Sequence, residues 1–274
     1  MRRYLLLGIF LISLSGSYYL IMRDGLWVKH YRTTENVTIN KSENVNLRGV
    51  EKLRISGSNL IIFSDLKRKL SHITGPIYIL DLTGNGHSYY KDYPTTFLGM
   101  KKPHPGIVYL LRRFIINGFA PLDLSQVQKE HLVAEKNGFK HQYLSLERRG
   151  VPTPEMVDQL INFLKDLPKD AWIHLHCLAG KGRTTSVMVM IDILKNGRFV
   201  KLEDIVKRHH LMGGVDLFDT QVWENGTYTQ EQLTRRKEFI VNFYQYVNDP
   251  SGYGIHSWRE WCDKNHINPS APLY

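Results

Sequence analysis

One stretch of the chain, Cys177-Leu178-Ala179-Gly180-Lys181-Gly182-Arg183, combines a thiol, two glycines, a lysine and an arginine within seven residues. It follows Trp172-Ile173-His174-Leu175-His176, an apolar run read as a buried strand, and leads through Thr184-Thr185 into an apolar segment read as a helix. A glycine-bearing turn at such a junction can curl until its backbone N–H groups and the helix N-terminus converge on one point, an arrangement suited to a phosphate dianion. The backbone of Leu178, Ala179, Gly180, Lys181 and Gly182 would form that cradle. A thiol at its centre loses its proton readily, so Cys177 is expected to be a nucleophilic thiolate. Arg183 would grip two phosphoryl oxygens with its planar guanidinium, and Thr184 would hydrogen-bond the thiolate as it departs. His176 and Cys177 are neighbours on an extended segment and so face opposite ways, which makes joint chelation of a metal unfavourable. Neither a metal nor a cofactor is expected.

The surrounding pattern alternates extended and helical runs, the syntax of an α/β domain. Helical spacing predicts helices over 64–73, 153–167, 184–195, 202–212, 230–247 and 258–264, and buried strands over 77–82 and 171–176. Gly84-Asn85-Gly86 reads as a turn and Gly213-Gly214 as a helix stop. Residues 27–53, rich in Asn, Thr, Lys and Ser, read as exposed strands or a loosely packed arm without chemistry. Arg235-Arg236-Lys237 reads as a solvated helix face from which peripheral phosphates could also be contacted, and Cys262 as a packing residue.

Residues 1–22 stand apart. Arg2-Arg3, an apolar run over 4–14 and the small group Ser15-Gly16-Ser17 have the anatomy of an export signal, with a cleavage position at Ser15-x-Ser17. The apolar character continues to Arg23, so an uncleaved anchor over 4–22 is equally long enough to cross a bilayer. The expected location is therefore periplasmic or secreted, or membrane-tethered. The 274 residues carry 36 Lys+Arg against 26 Asp+Glu, a net charge of +10, which calls for anionic partners. The basic residues are scattered in short groups without interleaved aromatics, which argues against nucleic acid. Two cysteines, one needed as a thiolate, exclude a disulfide scaffold.

The loop 177–183 is the signature of cysteine-dependent phosphatases, and the chain resembles one branch of them, the protein-tyrosine-phosphatase-like inositol polyphosphatases or cysteine phytases of bacteria. The likeness spans residues 53–264. It includes Ile55-Ser56-Gly57-Ser58, Gly75-Pro76-Ile77-Tyr78 with Asp81-Leu82, Pro152-Thr153-Pro154-Glu155, Leu167-Pro168-Lys169-Asp170-Ala171-Trp172, the catalytic loop, Phe243-Tyr244 and Ser257-Trp258. The resemblance implies a dual-specificity-phosphatase-like α/β domain over 53–274, with a central, mainly parallel sheet flanked by helices and a small N-terminal or inserted subdomain. Residues 1–22 would be signal or anchor and 23–52 an N-terminal arm. It further implies metal-free hydrolysis through a phosphocysteine, with phosphorylated inositol as substrate.

Two departures from the family pattern bear on the site. The family carries an Asp-His pair just before Pro-Thr-Pro, where this chain reads Glu147-Arg148-Arg149-Gly150-Val151. Glu147 is the carboxylate nearest the vacated acid position, with Asp216 the next candidate, while Arg148, Arg149 and Arg236 are candidate substrate contacts. The family's Arg after Asp-Leu is here Thr83. Lys181 resembles the loop lysine of phosphoinositide 3-phosphatases, so a phosphoinositide or phosphotyrosine phosphatase is the rival enzyme, with membrane association as a corollary. The missing Asp leaves a phosphate-binding pseudophosphatase as the rival of another class.

Overall fold

The computed structural model describes residues 2–35, 37, 39, 43–83, 86–224 and 226–268, with backbone alone for 2–12. The chain divides into two units, one of residues 1–29, 61–72 and 87–137 and the other of residues 30–60, 73–86 and 138–274.

The second unit is built on a five-stranded sheet in the order β1-β2-β8-β3-β7, comprising Arg32–Thr33, Ile55–Ser58, Trp172–His176, Ile77–Asp81 and Lys140–Tyr143. All five residues of β8 are buried, as a strand covered on both faces requires. It pairs in parallel with β2 and β3, and β3 with β7, whereas β1 adds to β2 antiparallel. The registers Ser58↔His176 and Asp81↔His176 bring the C-terminal ends of three strands together at the start of the 177–183 loop. This is the α/β architecture with a mainly parallel sheet that the sequence predicts.

In helix α6 (Gly182–Asn196) residues 184–193 are all buried, as expected for a helix enclosed by others, with Asp192 the one charged side chain among them. Gly57 lets it lie close to β2, because a Cβ there would stand 2.7 Å from both Met188 Sδ and Thr184 Cγ2. Helix α5 (Pro154–Lys165) starts at Thr153, whose side chain accepts from Met156 N, with Pro at the first turn. Helix α8 (Gln230–Asn248) and helix α9 (Trp258–Lys264) both open with reciprocal caps, Thr229 with Gln232 and Ser257 with Glu260. Phe239 and Phe243 of α8 meet Trp258 of α9 edge-on at 5.6 and 5.7 Å. The Phe243 and Ser257-Trp258 matches thus belong to a core seam.

A buried ion pair ties α6 to helix α7 (Leu202–Leu211). Arg208 Nε donates to Asp192 Oδ2 at 2.8 Å, its Nη2 pairs with Oδ1, and His209 Nε2 lies 2.9 Å from Oδ2. Burial pushes the Asp192 carboxyl up, but the His209 bond and charge and the Arg208 guanidinium outweigh it and hold it below the ordinary carboxylate value. Arg208 also donates to the carbonyls of Asn46 and Arg48, fastening the arm. Asp192→Ala leaves Arg208 buried without this carboxylate and is expected to cost about 3–5 kcal/mol, read as a lower urea midpoint. An unchanged midpoint would show the pair to be dispensable.

The first unit holds helices α1 (Arg2–Leu26), α2 (Phe63–Lys69), α3 (Ile107–Asn117) and α4 (Glu130–Lys136). Its sheet is antiparallel, in the order β5-β4-β6 (Tyr93–Pro94, Ser88–Tyr90, Val127–Lys129). Met22 of α1 is fully buried with Tyr90, Phe97 and Leu98. The division by contacts falls elsewhere than the expected boundary near residue 53. Residues 30–60 group with the unit that holds the 177–183 loop, where β1 pairs with β2, and the smaller unit takes 61–72 and 87–137 together with α1. The 64–73 helix is the shorter α2, ending at Lys69. Of the predicted 84–86 turn, Gly84 and Asn85 lie outside the described residues, as do the side chains of 1–12 on which the signal or anchor reading partly rests. Among the described residues no helix is long and apolar enough to cross a membrane.

Candidate active site

The loop between β8 and α6 closes around Cys177, which is 3 % exposed. Gly180 sits at φ +70°, and a Cβ on it would come within 2.4 Å of Asn59 N, so the curl requires glycine. Thr184 Oγ1 donates to Cys177 Sγ at 3.2 Å. Burial alone would raise the thiol pKa. The Thr184 hydroxyl, the Arg183 charge and the backbone N–H groups of Thr184 and Ala179 outweigh it and hold the thiol below the ordinary cysteine value. Arg183 is anchored from below, its Nη1 donating to Leu82 O at 3.1 Å and Leu146 O at 3.2 Å.

Behind the loop lies a residue that sequence reading did not assign. Arg32, on the edge strand β1, is 4 % exposed, and its Nη1 donates to Gly180 O at 2.7 Å while Nη2 donates to Thr185 Oγ1 at 3.0 Å. Thr185 Oγ1 donates to Lys181 O and accepts from Val215 N, so one guanidinium fixes both the loop apex and the first turn of α6. Burial pushes the Arg32 pKa down to about 10, and the negative charge of Cys177 counters it. The arm expected to lack chemistry therefore supplies a positioning residue. Its contacts lie 148 and 153 residues away in sequence, and no local pattern announces them.

Because that coupling is reciprocal, Arg32→Gln should raise the pH midpoint of Cys177 alkylation by iodoacetamide and lower kcat. Arg32→Lys keeps the charge and loses the two-point grip, so it should hold the midpoint close to the parent's while still lowering kcat. An unchanged midpoint in Arg32→Gln would reduce Arg32 to packing. The charged and titratable groups to be weighed around the thiol are Arg183, Arg32 and His176, the last facing Asp81 at 3.7 Å.

The loop opens into a cavity of about 410 Å³. Arg148, Arg149, Lys181, Arg183 and Arg236 line it, with Asp216 and Asp219 as its carboxylates and Tyr228 and Trp223 as aromatic walls. Cys177, Leu178, Ala179 and Gly182 line it too. Arg236, read mainly as part of a solvated helix face, is turned inward: it is 9 % exposed and donates to Asp216 O at 3.4 Å. Burial lowers its pKa, and the charges of Tyr228, Asp219 and Asp216 oppose that effect.

Glu147 is exposed on a tight turn closed by Gly150 N to Glu147 O, and it is not among the residues lining this cavity. Asp216 is placed there with its Oδ1 held by Phe218 N at 2.8 Å. Asp219, which sequence reading passed over, is fixed in the same way by Gln221 N at 2.9 Å. The Asp-x-Phe and Asp-x-Gln turns that fix them are visible in the sequence. Thr83 turns its hydroxyl to Asp81 Oδ1 at 2.7 Å. His174 has Ser56 and Ser58 hydroxyls at its two ring nitrogens, both at 2.9 Å, which accounts for the Ile55-Ser56-Gly57-Ser58 match and leaves the ring engaged in the sheet.

Comparison with known proteins accords with this geometry. The PTPlike_phytase family model, described by the words inositol hexakisphosphate, matches residues 115–195. The effector protein hopD2 of Pseudomonas syringae pv. tomato is 29 % identical over 140 residues, covering 50 % of this chain and 30 % of that protein. The uncharacterized protein AvrBs1.1 of Xanthomonas campestris pv. campestris is 32 % identical over 102 residues, 37 % of this chain and 97 % of that protein. Among solved structures, the PTP-like myo-inositol phosphatase from Mitsuokella multacida, in complex with myo-inositol-(1,3,4,5)-tetrakisphosphate, aligns with TM-score 0.63 at 26 % identity. That alignment covers 86 % of this chain and 47 % of the other. The PTP-like phytase from Bdellovibrio bacteriovorus aligns with TM-score 0.60 at 25 % identity, covering 86 % of this chain and 89 % of the other. The chain thus spans under a third of hopD2 and about half of the Mitsuokella protein. By these likenesses the chain belongs to the protein-tyrosine-phosphatase-like phytase family.

Proposed function

We propose that this protein hydrolyses phosphomonoesters through a phosphocysteine and that inositol polyphosphates are its substrate class. The observation that carries the reading is the buried, low-pKa Cys177 thiol on a cavity lined by five cationic side chains and two carboxylates. The Mitsuokella relative bound to an inositol tetrakisphosphate supports the substrate class.

In this reading Cys177 Sγ attacks phosphorus, an S–P bond forms as the ester P–O bond breaks, and Arg183 with the loop N–H groups holds the equatorial oxygens. The leaving alkoxide takes a proton from a carboxylic acid, for which Asp216 and Asp219 are the cavity candidates and Glu147 the sequence candidate. Water then hydrolyses the phosphocysteine, and Thr184 hydrogen-bonds the thiolate released. The lining cations supply the charge that peripheral phosphates need, and no step calls on a metal. Export or tethering through residues 4–22 is part of the same proposal.

The test is phosphate release from inositol hexakisphosphate, a phosphoinositide, a phosphotyrosine peptide and nitrophenyl phosphate. Inositol hexakisphosphate should give the highest kcat/KM of the four. Asp216→Asn should cut its hydrolysis at least about tenfold while sparing nitrophenyl phosphate, whose leaving group needs little protonation. If the phosphoinositide or the peptide leads instead, the substrate class is wrong. If Asp216→Asn is silent, the same comparison with Asp219→Asn and Glu147→Gln assigns the acid.

A further inference from the structure

Helix α3 packs Ile115 and Ile116 inward against the Met22 cluster and carries a second apolar stripe on its outer face. Ile107, Leu110, Leu111 and Phe114 recur at helical spacing along one face and are 37–68 % exposed, while Arg112 on the opposite face is only 8 % exposed. Arg112 donates from Nε to Ile21 O at 2.8 Å, from Nη1 to Phe97 O at 3.2 Å and from Nη2 to Asp24 Oδ2 at 3.2 Å. Arg113 caps the carbonyls of Leu98 and Gly99, both at 2.9 Å. A helix facing water places its apolar stripe inward and its arginines outward. Here the hydrogen bonds of the two arginines to Ile21, Asp24, Phe97, Leu98 and Gly99 hold the apolar stripe outward, and Phe119 just beyond the helix is 96 % exposed.

We propose that this face of the first unit rests on an anionic lipid bilayer. Three observations choose lipid as the occupant. First, Arg112 fastens α3 to α1 at Ile21 and Asp24, and the preceding turns of α1 expose Leu14, Tyr18, Tyr19 and Leu20. That stretch continues in sequence the apolar run of residues 4–14, so the exposed surface joins a segment already suited to hydrocarbon. Second, residues 1–29, 61–72 and 87–137 contain 14 Lys and Arg against 6 Asp and Glu, a net of +8 out of the chain's +10. Such a charge draws the unit to anionic headgroups and opposes its pairing with a second, equally charged copy. Third, Lys101 and Lys102 are exposed just before α3, and Tyr18 and Tyr19 offer amphipathic rings, the side chains that settle at a headgroup boundary. An apolar face flanked by basic residues is the pattern of an interfacial helix.

The experiment is co-sedimentation of the full chain with vesicles of mixed phosphatidylglycerol and phosphatidylcholine, and with phosphatidylcholine alone. The parent protein should partition to the mixed vesicles, and added salt should weaken that binding. Ile107→Glu/Leu110→Glu alters two exposed side chains and leaves α1 intact. It should bind the mixed vesicles about tenfold more weakly, with its circular dichroism and its rate on soluble nitrophenyl phosphate unchanged. Equal partitioning of the double variant and the parent would overturn the proposal, since α1 alone would then account for attachment. Absence of vesicle binding by the parent together with concentration-dependent self-association would overturn it in favour of a protein–protein face. The readout is binding, so neither result depends on the phosphatase reading.

Discussion

Cys177→Ser is expected to release phosphate at less than about a hundredth of the parent rate, because a serine hydroxyl in this cradle stays protonated at neutral pH. The interactions that depress the thiol pKa, from Thr184, Arg183 and the N–H groups of Thr184 and Ala179, stabilise a thiolate and fall far short of ionising an alcohol. Affinity for the anionic substrate should persist or rise. The cradle is intact and a negative charge that repels the incoming phosphate is gone. Loss of turnover with retained inositol hexakisphosphate binding, measured by calorimetry, fits the nucleophile. Loss of both would mean that the loop had collapsed.

Arg183→Lys should be nearly as damaging, with kcat/KM expected to fall at least about a hundredfold. One guanidinium nitrogen is already committed to Leu82 O and Leu146 O, which pins the planar fork against the ends of two strand–loop junctions. The remaining N–H groups are thereby pre-aimed at the cavity and give up little freedom when phosphate arrives. A lysine can serve one of these tasks at a time. The charge survives the substitution and the geometry does not, so near-parent rates in Arg183→Lys would show that positive charge alone suffices and that the bidentate grip has no role. Read beside Arg32→Lys behind the same loop, this variant separates transition-state contact from loop positioning.

The candidate site was legible in the sequence because its parts are contiguous. A buried strand, a glycine turn and a largely buried helix occupy residues 172–196 without interruption, and the chemistry proposed for Cys177, Arg183 and Thr184 rests on their order along that turn. The helix starts at Thr153, Thr229 and Ser257 were legible or explicable for the same reason, since caps are local. What sequence reading missed is long-range. Arg32 looks like one more basic residue in a polar arm until β1 pairs with β2 and carries it beneath Gly180. Arg236 sits in a run of three basic residues that reads as solvated, and only the packing of α8 shows which of the three turns inward. The three-stranded sheet of the first unit escaped because its strands are two or three residues long, too short for an alternating pattern to register. Helix α3 departs from the usual inside–outside rule, since Leu110 and Leu111 mark an exposed side while Arg112 is buried beside the inward-packing Ile115 and Ile116.

The most direct measurement of the central claim is to quench the enzyme in acid during turnover of inositol hexakisphosphate and look for phosphate by mass spectrometry of the Cys177 peptide. The account predicts covalent phosphate on Cys177, increased in a variant whose second step is slowed, such as Thr184→Val, and absent from Cys177→Ser. Steady release of phosphate with no modification of Cys177 at any quench time, or equal release by Cys177→Ser, would contradict it.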